Sequence, residues 1–198
     1  MFTSGQDVNR ILTALGEQLA SATSAHFDLL VCGGSALNAL GLVTRTTKDV
    51  DVLALVVMKP DGTRSMETAN PLPEPVVKAA EIVGRDFSLA ADWLNPGPTS
   101  ILDEGPPQGM LERAKVVEYG PALTVRYTSR LDLIHMKLDA APSDPGKHYQ
   151  DLLALKPSRE EITMAARWCL TIDPSEGYLG ELKGVLTSMG YEDVAKGL

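Results

Sequence analysis

The stretch Val31-Cys32-Gly33-Gly34-Ser35-Ala36-Leu37, followed by Arg45-Thr46-Thr47-Lys48-Asp49-Val50-Asp51-Val52, decides how the chain is read. Aspartate alternating with valine fits a strand, where successive side chains point to opposite faces. Asp49 and Asp51 are therefore expected on one face, with Val50 and Val52 on the other. Two carboxylates held that close repel one another unless a cation lies between them. Mg²⁺ is commonly held by one or two carboxylates together with substrate phosphates, which makes Asp49 and Asp51 candidate metal ligands.

Working outward, Phe27–Cys32 reads as a short buried strand, and residues 35–40 as a helical turn or two ending at Gly41. Gly33 and Gly34 supply the unusual backbone angles that a tight strand-to-helix corner needs. Ser35 is then expected at the helix start, where free N–H groups and the helix dipole attract phosphate. No Gly-x-Gly-x-x-Gly and no Gly-Lys-Ser/Thr string occurs, which argues against a dinucleotide-binding loop and a P-loop. A Gly-Gly-Ser corner by itself fits an ordinary helix cap, and Asp-x-Asp by itself fits an exposed strand face. Their order and spacing together point to a phosphate grip beside a metal grip.

This combination resembles the DNA polymerase β-like nucleotidyltransferase superfamily, whose pattern is a hydrophobic residue, Gly-[Gly/Ser], a helix, then Asp-hydrophobic-[Asp/Glu]-hydrophobic. It is most similar to small bacterial nucleotidyltransferase-like proteins, including the toxin branch of type IV toxin–antitoxin pairs. Their Arg-x-Thr-x-Asp-x-Asp string is matched by Arg45, Thr47, Asp49 and Asp51. The specific match covers residues 27 to 57. The resemblance implies transfer of a nucleoside monophosphate from an NTP to an acceptor hydroxyl, with Mg²⁺ on Asp49 and Asp51. It also implies nucleotide contacts from Gly33, Gly34, Ser35, Arg45 and Thr47. An RNA 3′ end, a small hydroxylated molecule or a protein side chain would all fit as acceptor, and an antitoxin would fit as partner.

The tail extends the resemblance. Leu133-Ile134-His135-Met136-Lys137-Leu138 and Lys147-His148-Tyr149-Gln150-Asp151-Leu152 are similar to a pair of helices that face the nucleotide in the toxin-like relatives. Lys137 would contact the triphosphate as a compact point charge, and Asp151 would orient or deprotonate the acceptor hydroxyl. Solvated helix-face charges are the competing reading of both residues. The superfamily's third carboxylate has no clear counterpart; Glu118 and Asp92 are the candidates by position. A catalytically weak nucleotide-binding or protein-interaction module that keeps the fold is the alternative function.

The whole chain sets bounds on these expectations. Its 198 residues suffice for one sizeable core with a helical appendage. At 44% hydrophobic and 22% charged, the composition is that of an ordinary globular protein. No apolar run approaches the roughly 20 residues that span a bilayer, and the N-terminus lacks a secretion-signal pattern. A cytoplasmic protein without membrane contact is expected, with Cys32 and Cys169 as buried free thiols and too few ligands for zinc. A net charge of −8 argues against broad nucleic-acid coating. A local basic groove would have to draw on Arg45, Lys48, Lys115, Arg126, Arg130, Lys137 and Lys147.

Helical spacing of Val8, Ile11, Leu12, Leu15 and Leu19 predicts a helix over 6–22. A strand over 49–57, a polar loop over 61–73 and a helix over 74–84 follow. Residues 92–110 are rich in Pro and Gly and read as a mobile loop. Its opening string, Asp92-Trp93-Leu94-Asn95, also looks like one in the bacterial relatives, with Trp93 as a core anchor. Residues 115–119 and 123–127 form a hairpin pattern around Gly120-Pro121. From Ser129 the pattern turns helical: 129–141, a break at Pro142–Gly146, 148–155, a third helix capped by Ser158 and Glu161, and a fourth from Asp173-Pro174 to Gly190. The expectation is an α/β nucleotidyltransferase-type mixed sheet flanked by helices (1–128), with a C-terminal helical subdomain (129–198) packed on it.

Overall fold

Four consecutive buried residues, Leu29 to Cys32, put strand β1 (Phe27–Cys32) at the middle of the sheet. A strand covered on both faces reads as a continuous apolar run, which explains the Leu-Leu-Val-Cys string. The computed structural model of the chain describes residues 1–144 and 146–198. Pro145, inside the break expected at Pro142–Gly146, lies outside the described residues. Two compact units emerge, Met1–Ser129 and Arg130–Leu198.

In the first unit β1 pairs antiparallel with β2 (Val50–Met58) and parallel with β6 (Leu123–Tyr127). Antiparallel neighbours close the two sides: β3 (Arg64–Thr68) on β2 and β5 (Lys115–Glu118) on β6. A two-residue strand, β4 (Leu94–Asn95), runs parallel to the start of β2, completing a six-stranded mixed sheet. Helices α1 (Gly5–Ala22), α2 (Gly33–Ala39) and α3 (Glu74–Asp86) accompany it, with the short α4 (Ile101–Glu104) and α5 (Met110–Arg113).

Helix α1 starts at a reciprocal cap between Ser4 and Asp7 and buries Val8, Ile11, Leu12, Leu15 and Leu19 along one stripe. Gly16 sits in that stripe against the chain at Tyr119, where a Cβ would fall 1.8 Å from the carbonyl oxygen. Tyr119 Oη donates to Asn9 of α1 at 2.6 Å and lies 2.8 Å from Tyr127 Oη. Helix α1 thus covers the sheet face that carries Tyr127 and its register partner Val31. On the opposite face Arg126 grips Asp28 through two nitrogens, at 2.8 to 3.1 Å.

The β1–β2 ladder contains an irregularity. Leu30 lies opposite Ala54, yet Val31 lies opposite Val52, so Leu53 has no partner across the strand. One extra residue on one strand is a β-bulge. It sets Asp51, opposite Cys32, on the face of Ala54, Leu30 and Asp28, away from α1.

Two expected loops are structured. Of residues 61–73, five form β3, whose Arg-Ser-Met-Glu-Thr sequence carries little apolar alternation; its strand geometry comes from the ladder with β2. Residues 92–110 hold β4, a 3-10 turn at Gly97–Ser100 and α4. Trp93, just before β4, is buried, its Nε1 donating to Ala80 O at 2.9 Å and its ring edge-on to Phe2.

The regular elements of the second unit, among its described residues, are all helices: α6 (Arg130–Ala140), α7 (Lys147–Leu155), α8 (Arg159–Ile172), α9 (Glu176–Ser188) and α10 (Glu192–Lys196). Ser158 and Glu161 form the expected reciprocal cap of α8. Helix α9 begins two residues later than Pro174 suggests, because Ser175 caps it by accepting from Tyr178 N. It ends at Ser188 with Met189 as C-cap, and Gly190, whose φ of +87° suits glycine, follows as the terminating residue. Both cysteines are buried free thiols. No helix among the described residues is long and apolar enough to cross a membrane.

Candidate active site

The glycine corner and the aspartate segment, 15 residues apart in sequence, are pressed together. Helix α2 begins at Gly33, with Cys32 as its N-cap and no side-chain cap. Gly33 has φ +70°, and a Cβ there would lie 2.0 Å from Asp51 Oδ2. A Cβ on Gly34 would lie 2.6 Å from Arg45 Nη2 and 2.8 Å from Thr47 Oγ1. No other residue fits either position without displacing a side chain, so both glycines are explained by close approach. Gly33, Gly34, Arg45, Thr47 and Asp51 thus form one cluster.

Three anchors fix residues 45–49, which form no regular element. The chain at Phe2 pairs with Thr47 through Phe2 N to Thr47 O (2.8 Å) and Thr47 N to Phe2 O (2.9 Å). Asn38, buried in α2, donates Nδ2 to Arg45 O at 2.8 Å and accepts Arg45 N at 3.3 Å. Thr47 Oγ1 donates to Asp49 Oδ1 at 2.9 Å. A hydroxyl donated to a carboxylate fixes its direction and favours its charged form.

Two expectations need correction. Ser35 was expected to open α2; it is the third residue of the helix, fully buried, with its hydroxyl donating to Cys32 O at 3.2 Å. As placed it braces the corner. Asp49 was expected within the strand beside Asp51, but β2 starts at Val50. Asp49 is held by Thr47, and Asp51 lies in the ladder, with Cys32 opposite on β1 and Asn95 opposite on β4.

Sequence reasoning missed Asn38 and Asn95 as site residues. Asn95 Nδ2 donates to Asp51 Oδ1 at 3.3 Å across 44 residues of sequence. The Asp92-Trp93-Leu94-Asn95 string was the available signal, read for its tryptophan and for Asp92 but not for its asparagine. Neither candidate third acid joins the pair. Glu118 lies opposite Thr124, itself opposite Asp28 at the start of β1, whereas Asp51 lies at the end of that strand. The Asp92 side chain is exposed. Among the described residues no three His, Cys, Asp or Glu side chains gather as a metal cluster. The donor set at Asp49 and Asp51 is nevertheless two carboxylates, all hard oxygens, which fits a Mg²⁺ ion whose remaining positions come from phosphate and water.

In the second unit Lys137 Nζ and Asp151 Oδ2 form an ion pair of 2.8 Å, with side chains 5% and 2% exposed. These are not solvated helix-face charges. Lys137 Nζ also lies 3.3 Å from His148 Nδ1. An ammonium can only donate, so that ring nitrogen accepts and the imidazole is neutral. Burial, and then the Lys137 charge, hold His148 below its ordinary pKa of 6.5. The unfolded chain therefore binds more protons in the window below 6.5, so stability present above that pH is lost as pH falls through it. Thermal melts over about pH 5 to 8 should show this loss in the wild type and a shallower one in His148→Gln. Parallel pH profiles would remove His148 from the account.

Three of the seven residues named for a basic groove are engaged with other partners. Arg126 is committed to Asp28, Lys137 to Asp151, and Arg130 to Glu161 and to the carbonyls of Leu155 and Lys156 at the end of α7. No protein-family model, curated protein or solved structure matches the chain.

Proposed function

We propose that the chain is a Mg²⁺-dependent nucleotidyltransferase with the fold of the DNA polymerase β-like type. The reading is carried by the contact of Gly33 and Gly34 with Asp51, Arg45 and Thr47, which brings a strand-to-helix corner against the Asp51 carboxylate and the segment that leads to Asp49. Asp49 and Asp51 would hold the ion. Arg45 and the N–H groups at the start of α2 would bind phosphate oxygens, as unpaired helix-start donors do. When bound, Mg²⁺ offsets phosphate charge and polarises the phosphoryl group.

In the transfer the acceptor oxygen bonds to the α-phosphorus and the bond from that phosphorus to the β-bridging oxygen breaks. Pyrophosphate leaves. The acceptor's proton passes to water; the family resemblance gives proton acceptance to Asp151 and triphosphate contact to Lys137, but these two side chains are paired with each other at 2.8 Å. The work asked of the protein is positioning and charge stabilisation, which needs few special side chains.

Titration calorimetry with each NTP, with and without Mg²⁺, tests the reading when paired with pyrophosphate release over RNA, small-molecule and protein acceptors. Metal-dependent NTP binding followed by release is the expected result. Binding without release supports the second reading, a nucleotide-binding module, which the lack of a third acidic ligand among the described residues favours. No binding at all overturns both.

A further inference from the structure

We infer that Asn95 is a positioning residue for the metal-binding carboxylate, a role resting on the nucleotidyl-transfer reading of Asp49 and Asp51. The orientation of its amide is set by the backbone. Asn95 Oδ1 accepts Gly97 N at 2.9 Å, so the NH₂ group must face the other way. There it donates to Asp51 Oδ1 at 3.3 Å and approaches Asp92 O at 3.5 Å.

Its backbone is equally fixed. Asn95 lies opposite Asp51 in the parallel ladder of β4 and β2, and Trp93 O accepts Val50 N at the neighbouring rung. Trp93 is itself anchored in the core.

Asp51 is consequently held at both carboxylate oxygens. Asn95 takes Oδ1, and Oδ2 rests in the space left by the missing Gly33 side chain. A carboxylate so restrained cannot swing to a second rotamer, and its orientation is fixed before any ligand arrives. Hydrogen-bond partners of metal ligands act in this way, and their loss costs about 10- to 100-fold in metal affinity. Asn95 supplies the donor without adding charge, so it orients Asp51 while leaving two acids to bind the ion.

The test is titration of the full-length protein with Mn²⁺ alone, followed by the paramagnetic resonance signal of free Mn²⁺. Asp51→Asn defines the binding that belongs to this site. Asn95→Ala and Asn95→Leu, the latter keeping the volume without the donors, are expected to bind Mn²⁺ about 10- to 100-fold more weakly. Wild-type affinity in the leucine variant would assign Asn95 to packing and overturn the inference, whether or not the alanine variant folds. Wild-type protein lacking Asp51-dependent Mn²⁺ binding would instead overturn the two-aspartate metal reading, and this inference with it.

Discussion

Asp51→Asn should reduce NTP-dependent pyrophosphate release by about a hundredfold to a thousandfold or more. A metal ion supplies several kcal/mol of transition-state stabilisation, and each 1.36 kcal/mol is a factor of ten. The fold should survive. An asparagine keeps an oxygen to accept from Asn95 and has nearly the shape of the aspartate packed on Gly33. Metal-free melting should therefore shift by no more than about 0.5 kcal/mol, or upward as repulsion from Asp49 is relieved. Stabilisation by Mg²⁺ with NTP should disappear. A clear loss of metal-free stability together with retained pyrophosphate release would make Asp51 structural.

Lys137→Ala carries the second large effect, on stability first. Removing one partner of a buried ion pair strands the other charge, here that of Asp151, at a cost of about 3–5 kcal/mol. Chemical denaturation should show that loss, and Asp151→Ala a similar one. Replacing both partners with apolar residues of similar volume, Lys137→Met with Asp151→Leu, should recover most of it. The double variant then separates structure from chemistry. If the pair serves nucleotide transfer, the restored fold has no pyrophosphate release. Full release in the double variant would confine the pair to holding the second unit together.

What was legible in the sequence was local. The Gly33-Gly34 corner and the Asp-Val-Asp segment stand within 20 residues of each other, and short-range geometry brings them into contact. Helices with apolar stripes, α1 and α8 among them, were legible from periodicity and caps. Strand β3 was not, because a polar five-residue segment becomes a strand only through hydrogen bonds to a partner. Helix α10 is five residues long, too short to show a period. Asn95 was hidden for a related reason: its chemistry lies in a contact 44 residues away, and nothing in Leu-Asn reveals the neighbour. Charge on a helix is ordinarily read as solvent-facing. Burial of Lys137 and Asp151 depends on each neutralising the other, which no spacing rule shows.

Leu53 is counted by the chain but not by the ladder. Strand β2 therefore carries two alternations out of step, one for residues 50–52 and another for residues 54–58. Deleting this one leucine would join the two alternations into one and leave Asp51 in step with Ala54, on the face it already occupies. A one-residue deletion at this point is absorbed by the ladder, because Val52 and Ala54 already face adjacent residues of β1. Between related chains, the spacing from the aspartates to the rest of β2 can thus differ by one residue at the bulge and still leave Asp51 on the same face.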